Sequence, residues 1–234
     1  MRVGCGPAAP GGDNDRVQFT TTPGRWTVVV PLKSSSRGKS RIDVHPALRR
    51  ALARAMVMDT VDAAAGAADV GGVLVVADDA DDARDLLQIR GVRILRTASE
   101  GLNEAIGDGL RSLPRDAPIV VLPGDLPSLT SAELDGALAA AARHRFAVVA
   151  DRQGTGTTLL TASSVRWMHP GYGGGSFARH VAAGAVPLEV PVESGLRRDV
   201  DSAADLAGVL GPRTLAVLAD AECPTGVSAA RPTG

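Results

Sequence analysis

The 234-residue chain carries a formal net charge of -1, with 22 % charged residues and only 3 % aromatics. That balance excludes a charge-driven grip on nucleic acid or anionic membranes, and it leaves too few rings for base-stacking platforms. Cys5 and Cys223 lie near opposite ends, which excludes a disulfide framework and a paired-cysteine metal site.

The length suits one α/β domain with a well-filled core. No apolar run approaches the roughly 20 residues of a membrane span, and the N-terminus lacks a signal-peptide core. A reducing cytoplasm is therefore expected. Residues 1–24 are rich in Gly, Pro, Thr and Asp without hydrophobic period, and residues 221–234 are similar. Both read as disordered ends around a folded domain at 25–220.

The first strand is expected at 26–30. After it comes Pro31-Leu32-Lys33-Ser34-Ser35-Ser36-Arg37-Gly38-Lys39-Ser40-Arg41, which holds the only two lysines of the chain. Small residues separate its cations, a pattern that suits a loop wrapping an anion. Gly38-Lys39-Ser40 ends like a P-loop, but Lys33 stands where that motif needs its first glycine. A merely solvated basic loop is the plain alternative; the position after a first strand favours phosphate binding.

Leu48, Leu52, Ala55, Met56, Thr60 and Val61 recur at helical spacing within a helix expected at 46–65. A strand at 73–77 leads into the acidic run 78–82. That run reads as the negative first turn of a helix reaching Ile89 rather than as a metal site. A strand at 92–95 is followed by Gly101-Leu102-Asn103, opening a helix to about residue 113. Asn103 is either an ordinary helix-start residue or an amide reading a nucleobase or ribose.

Ile119-Val120-Val121-Leu122 reads as a buried strand that stops at Pro123-Gly124-Asp125. A carboxylate there stands at the carboxyl edge of the sheet, where open α/β sheets bind ligands. A simple turn residue is the alternative reading of Asp125. Residues 128–131 offer N-caps for a helix over 132–144, and a strand follows at 146–150.

Gly154-Thr155-Gly156-Thr157 then enters a strand at 157–161. Gly171-Tyr172-Gly173-Gly174-Gly175-Ser176 opens a helix at 177–183. Both loops could present amides and hydroxyls to an anion. His169 and His180 share no metal-ligand spacing and read as structural or surface residues. A strand at 186–192 is expected on the sheet edge because of Pro187 and Pro191. Asp199 and Asp201 lie two apart, on one side of an extended segment. Ser202 and Asp205 resemble a capping box for a last helix to about residue 210.

Strands alternating with helices imply a mostly parallel sheet covered on both faces, with a small β insert. Hard carboxylate oxygens, cations and helix N-termini together suit Mg²⁺-dependent phosphoryl or nucleotidyl transfer.

Five motifs occur in one order: Pro31-Leu32-Lys33 with Lys39-Ser40-Arg41, Gly101-Leu102-Asn103, Gly124-Asp125-Leu126-Pro127, Gly154-Thr155-Gly156-Thr157 and Asp199-Val200-Asp201. Over residues 26–219 the chain resembles the guanylyltransferases of deazaflavin (coenzyme F-420) biosynthesis. That resemblance implies a nucleotide-diphospho-sugar-transferase-like, Rossmann-like fold. It implies that Asp125, Asp199 and Asp201 hold Mg²⁺, and that Thr157, Gly173 and Ser176 hold a phosphorylated three-carbon acid. It places Lys33, Lys39 and Arg41 on GTP phosphates, with the two lysines also serving catalysis, and brings Leu102 and Asn103 to the nucleoside. Gly175 departs from the family, which commonly has an acidic or amide residue there.

The implied partners are GTP and phosphoenolpyruvate or 2-phospho-L-lactate, with a transient hand-over to the next enzyme of the pathway. The arginine- and alanine-rich composition leans towards phosphoenolpyruvate. A molybdenum-cofactor-type nucleotidyltransferase would need a different loop after the first strand. A glycosyltransferase would need Asp-x-Asp where Asp125 stands alone. A catalytically silent GTP-binding protein is disfavoured by the three carboxylates.

Overall fold

The computed structural model describes residues 22–32, 44–79, 81 and 83–222. The strands are β1 (Trp26–Leu32), β2 (Val70–Ala77), β3 (Val92–Arg96), β4 (Ile119–Val121), β5 (Phe146–Ala150), β6 (Thr157–Ala162) and β7 (Val186–Pro187). The helices are α1 (Pro46–Gly66), α2 (Leu102–Arg111), α3 (Ser131–Ala141), α4 (Ser176–Ala182) and α5 (Pro212–Glu222). None of the helices is long and apolar enough to cross a membrane, among the described residues.

The valine-rich strands are buried on both faces, as a covered sheet requires. They form one sheet in the order β3-β2-β1-β4-β6-β5-β7. All pairings are parallel except those of β6, which runs antiparallel to β4 and to β5. Alternation along β1 assigns its two faces. Val28 and Val30 pack with Val61 of α1 and with Leu134 and Leu138 of α3. Val29 packs with Ile106 and Leu110 of α2. Helix α2 comes close to the sheet at Gly109, where a Cβ would stand 2.8 Å from Val76.

Helix α3 starts with a full capping box between Thr130 and Glu133. Helix α5 closes a smaller core over α1, made of Leu52, Met56 and Val200 with Leu206, Val217 and Leu218. The order of strands reverses direction between β1 and β4, so their carboxyl ends lie side by side. That is the switch point at which such sheets bind ligands. Leu32, at the end of β1, lies against Gly124: a Cβ on that glycine would stand 3.0 Å from Leu32 Cδ2.

Four expectations need correction. The helix expected to reach Ile89 is a single 3-10 turn, Arg84–Gln88, because the chain must re-enter the sheet at Val92. Asp79 caps the approach by accepting from the Asp81 amide at 2.9 Å. The strand expected at 186–192 pairs only over Val186–Pro187, and Leu188 adds one bond to Val148. Its prolines have no N–H to continue the ladder. The helix expected after Ser202 is a 3-10 turn, Ala203–Leu206, ended by extended Ala207 and left-handed Gly208. Helix α5 was not expected at all. Pro212 opens it and its cap comes from Asp59, far away in sequence.

Candidate active site

Asp125 sits just past β4 in a loop fixed by a side chain from α1. Thr60 Oγ1 accepts from the Leu126 amide at 3.1 Å, and donates within reach of the carbonyls of Met56 and Gly124. Thr60 is fully buried, so this bond is sheltered from water. Sequence reading takes Thr60 as part of an apolar stripe and misses this role.

The Asp-x-Asp segment is pinned beside that loop. The Val200 amide donates to the Asp125 carbonyl at 3.0 Å, and the Val200 side chain is buried against Leu52 and Met56. Asp199 and Asp201 flank this anchor, and Asp199 stands close enough to feel the Asp125 charge. Upstream, Glu133 accepts from Ser194 Oγ and the Gly195 amide, both at 2.8 Å, which holds the turn leading to Asp199.

Burial pushes the Asp199 carboxyl up to about 7, reinforced by the charges of Asp125, Asp201 and Asp151. Asp199 Oδ1 is buried with no hydrogen-bond partner, and Asp125 Oδ1 is buried too. Crowded carboxylates with a buried, unsatisfied oxygen favour a cation among them. Oxygen donors of this kind suit Mg²⁺, which rests on one or two carboxylates and takes the rest from phosphates and water. Among the described residues, no group of three His, Cys, Asp or Glu side chains is arranged to hold a metal ion.

Asp151 is near in charge but differently employed. Its two oxygens accept from the amides of Thr155 and Gly156, at 2.8 and 2.7 Å. Its carbonyl accepts from Arg197 Nε and Nη2. Asp151 thus shapes the loop before Thr157, a role that its position in sequence does not reveal.

Thr157, Gly173 and Ser176, expected to act together, do meet. Ser176 Oγ donates to Thr157 Oγ1 at 3.1 Å, and the Ser176 amide donates to the Gly173 carbonyl at 3.0 Å. Arg179 holds the glycine loop through the carbonyls of Gly171 and Gly174. Gly175 caps α4 with φ 70°, in the left-handed region. Glycine adopts it freely, and Asn and Asp are the side chains that tolerate it best, so the departure at this position keeps the backbone shape.

His180 is buried at the centre of this loop, not at the surface. Its Nδ1 lies 2.9 Å from Thr157 Oγ1, and its Nε2 accepts from the Gly171 amide. Tyr172 meets its ring edge-on and donates its hydroxyl to the Val121 carbonyl, tying the loop to β4. Asn103 grips the Tyr172 peptide at both ends: Oδ1 accepts from its amide at 2.8 Å, and Nδ2 donates to its carbonyl at 3.1 Å. In this structure the Asn103 amide reads a peptide. Leu102, beside it at the start of α2, is half-buried against the edge of the core. Lys33, Lys39 and Arg41 lie outside the described residues.

One sheet edge therefore joins an acidic cluster to a hydroxyl- and amide-lined loop. Residues 26–210 match the family model described as "Guanylyl transferase CofC like". The chain belongs to that family. Among curated relatives of this CofC-like guanylyltransferase is the phosphoenolpyruvate guanylyltransferase of Streptomyces coelicolor, 40 % identical over 204 residues, covering 83 % of this chain and 96 % of that one. The phosphoenolpyruvate guanylyltransferase of Geodermatophilus obscurus is 41 % identical over 212 residues, covering 86 % and 97 %. Among solved structures, the 4-diphosphocytidyl-2C-methyl-D-erythritol synthase of Anaerococcus prevotii aligns with a TM-score of 0.55 at 9 % identity, over 90 % of this chain and all of that one. At that identity the likeness speaks for the fold alone. The CofC-like chain is thus a nucleotidyltransferase on the expected α/β sheet.

Proposed function

We propose that this enzyme transfers GMP from GTP to phosphoenolpyruvate, releasing pyrophosphate, as a step towards coenzyme F-420. The observation that supports the reading is the Val200–Asp125 bond, which lays the Asp199–Asp201 segment beside the Asp125 loop at the switch point. The names of the curated relatives supply the acceptor. Both substrates are small anions taken from the cytoplasm.

Asp125, Asp199 and Asp201 would hold Mg²⁺, which supplies charge neutralisation for the phosphate oxygens when bound. Thr157, Ser176 and the glycine-loop amides would hold the acceptor anion. Lys33, Lys39 and Arg41 would neutralise the triphosphate, and Asn103 and Leu102 would border the nucleoside. An oxygen of the acceptor phosphate attacks the α-phosphorus of GTP. A new P–O bond forms, the bond from the α-phosphorus to the bridging oxygen breaks, and pyrophosphate leaves with that electron pair. The attacking phosphate is already anionic at neutral pH, since its second pKa is about 6. No general base is required, which agrees with the absence of a His–carboxylate pair in these motifs.

Pyrophosphate release tests this reading, with GTP, Mg²⁺ and phosphoenolpyruvate, 2-phospho-L-lactate or 3-phosphoglycerate supplied singly. Release with phosphoenolpyruvate and GTP, but not ATP, is expected. Release with another acid alone would move the acceptor, and tight GTP binding with no release would mean a silent binding protein.

A further inference from the structure

We infer that His180 is a positioning residue that sets the Thr157 hydroxyl as a donor to the anionic acceptor. The inference rests on the reading that Thr157 contacts that acceptor.

The Gly171 N–H can only donate, so His180 Nε2, 2.9 Å away, must present a lone pair. Burial, with the Arg179 charge beside it, pushes His180 down to about 4, so the ring is neutral near pH 7. A neutral ring with an unprotonated Nε2 carries its hydrogen on Nδ1. That hydrogen points at Thr157 Oγ1, 2.9 Å away. Ser176 Oγ donates to the same oxygen at 3.1 Å. A threonine hydroxyl has two acceptor lone pairs and one hydrogen. The Nδ1–H occupies one lone pair and turns the Thr157 hydrogen away from the ring, and with Ser176 donating to the other lone pair that hydrogen is left for a third partner.

A hydroxyl held this way donates and does not accept. It therefore favours phosphate or carboxylate oxygens over neutral donors. Thr157, Ser176 and His180 are all buried, so the arrangement is shielded from competing water. The edge-on ring of Tyr172 limits rotation of the imidazole, and Arg179 is the charged neighbour on its own helix.

Two variants separate the two nitrogens. The amide nitrogen of His180→Asn stands near the position of Nδ1 and can keep the donor to Thr157. The amide oxygen of His180→Gln reaches the position of Nε2 and keeps only the bond from Gly171. His180→Gln is expected to raise the KM for phosphoenolpyruvate about tenfold with the KM for GTP unchanged, and His180→Asn to hold it within about threefold. Imidazole nitrogen NMR of the wild-type enzyme is expected to show the Nδ1–H tautomer at pH 7. An Nε2–H tautomer in an active enzyme would overturn the inference alone. Equal rises in both KM values for both variants, tracking lost melting temperature, would also overturn it, reducing His180 to packing. A wild-type enzyme that turns over no acceptor would overturn the function reading instead, and with it the acceptor's part in this one.

Discussion

The Val200 amide donates to the Asp125 carbonyl at 3.0 Å, and this bond lays the backbone of the Asp199–Asp201 segment beside the Asp125 loop. Val200 can do so because its own side chain is buried between Leu52 and Met56 of α1. The carboxylates themselves repel: burial and the charges of Asp125, Asp201 and Asp151 push Asp199 up to about 7. Such a cluster opposes folding until a cation joins it. Asp199→Asn is therefore expected to stabilise the metal-free protein by roughly 1 kcal/mol, after allowance for solvent screening. The same change should abolish GMP transfer. Thermal melts with a chelator, run beside pyrophosphate release with Mg²⁺, check both halves. A destabilised Asp199→Asn protein would contradict the repulsion argument.

Thr60→Val keeps the shape of the residue but removes its oxygen. The Leu126 amide, which donates to Thr60 Oγ1 at 3.1 Å, would then be buried without a partner. Such a loss costs about 1–3 kcal/mol. Because that bond also holds the loop carrying Asp125, kcat should fall about tenfold. Denaturant unfolding gives the first number and steady-state turnover the second. Lost stability with intact kcat would confine Thr60 to packing.

The strands of the sheet were legible because β-branched runs bounded by turn residues have no other good conformation. Asp125 was legible for the same reason, since it follows such a run at the edge that binds ligands. Helix α5 was hidden because its cap is Asp59, which accepts from the Thr214 amide across 155 positions of sequence. Thr60 and Glu133 were hidden for a related reason: each satisfies a remote backbone amide, and a sequence does not announce which one needs an acceptor. Asp151 was hidden because it turns back on the amides of its own loop. His180 gave no signal either: its burial exists only once α4 lies over the start of β6. Lys33, Lys39 and Arg41, outside the described residues, are legible by residue type and order alone.

Glu133 makes stability depend on pH. Burial pushes its carboxyl up, but hydrogen bonds from Ser194, Thr130 and Gly195 outweigh burial and hold it below its ordinary 4.5. A carboxyl with a lowered folded-state pKa adds stability that is fully present above the ordinary value. That stability is lost as pH falls through the lowered one. Glu133→Gln should therefore be less stable than wild type at pH 7, by about 1–2 kcal/mol. The gap should close as the pH drops below 4.5. Denaturant midpoints across that range read the difference directly, and a gap independent of pH would assign the loss to geometry rather than charge.

Asp59 is the cap that α5 lacks locally. It is 5 % exposed. It accepts from the Thr214 amide and hydroxyl at 2.9 and 2.7 Å, and from the Arg213 amide at 3.1 Å. Arg213 adds an ion pair at 3.5 Å and a second to Asp62 at 3.0 Å. Asp59→Ala strands the buried Thr214 amide, the half-buried Arg213 amide and a charge partner, so it should cost about 2–4 kcal/mol. Helix α5 would loosen first, uncovering Leu52 and Met56, the residues that seat Val200. Hydrogen exchange should therefore speed up at α5 and at the Val200 amide, while the amides of β1 and β2 stay protected. Turnover should fall with the Val200 amide's protection, because that amide ties the Asp199–Asp201 segment to the Asp125 loop. Faster exchange at α5 with full protection at Val200 and unchanged turnover would show that the Asp-x-Asp segment stands without the helix above it.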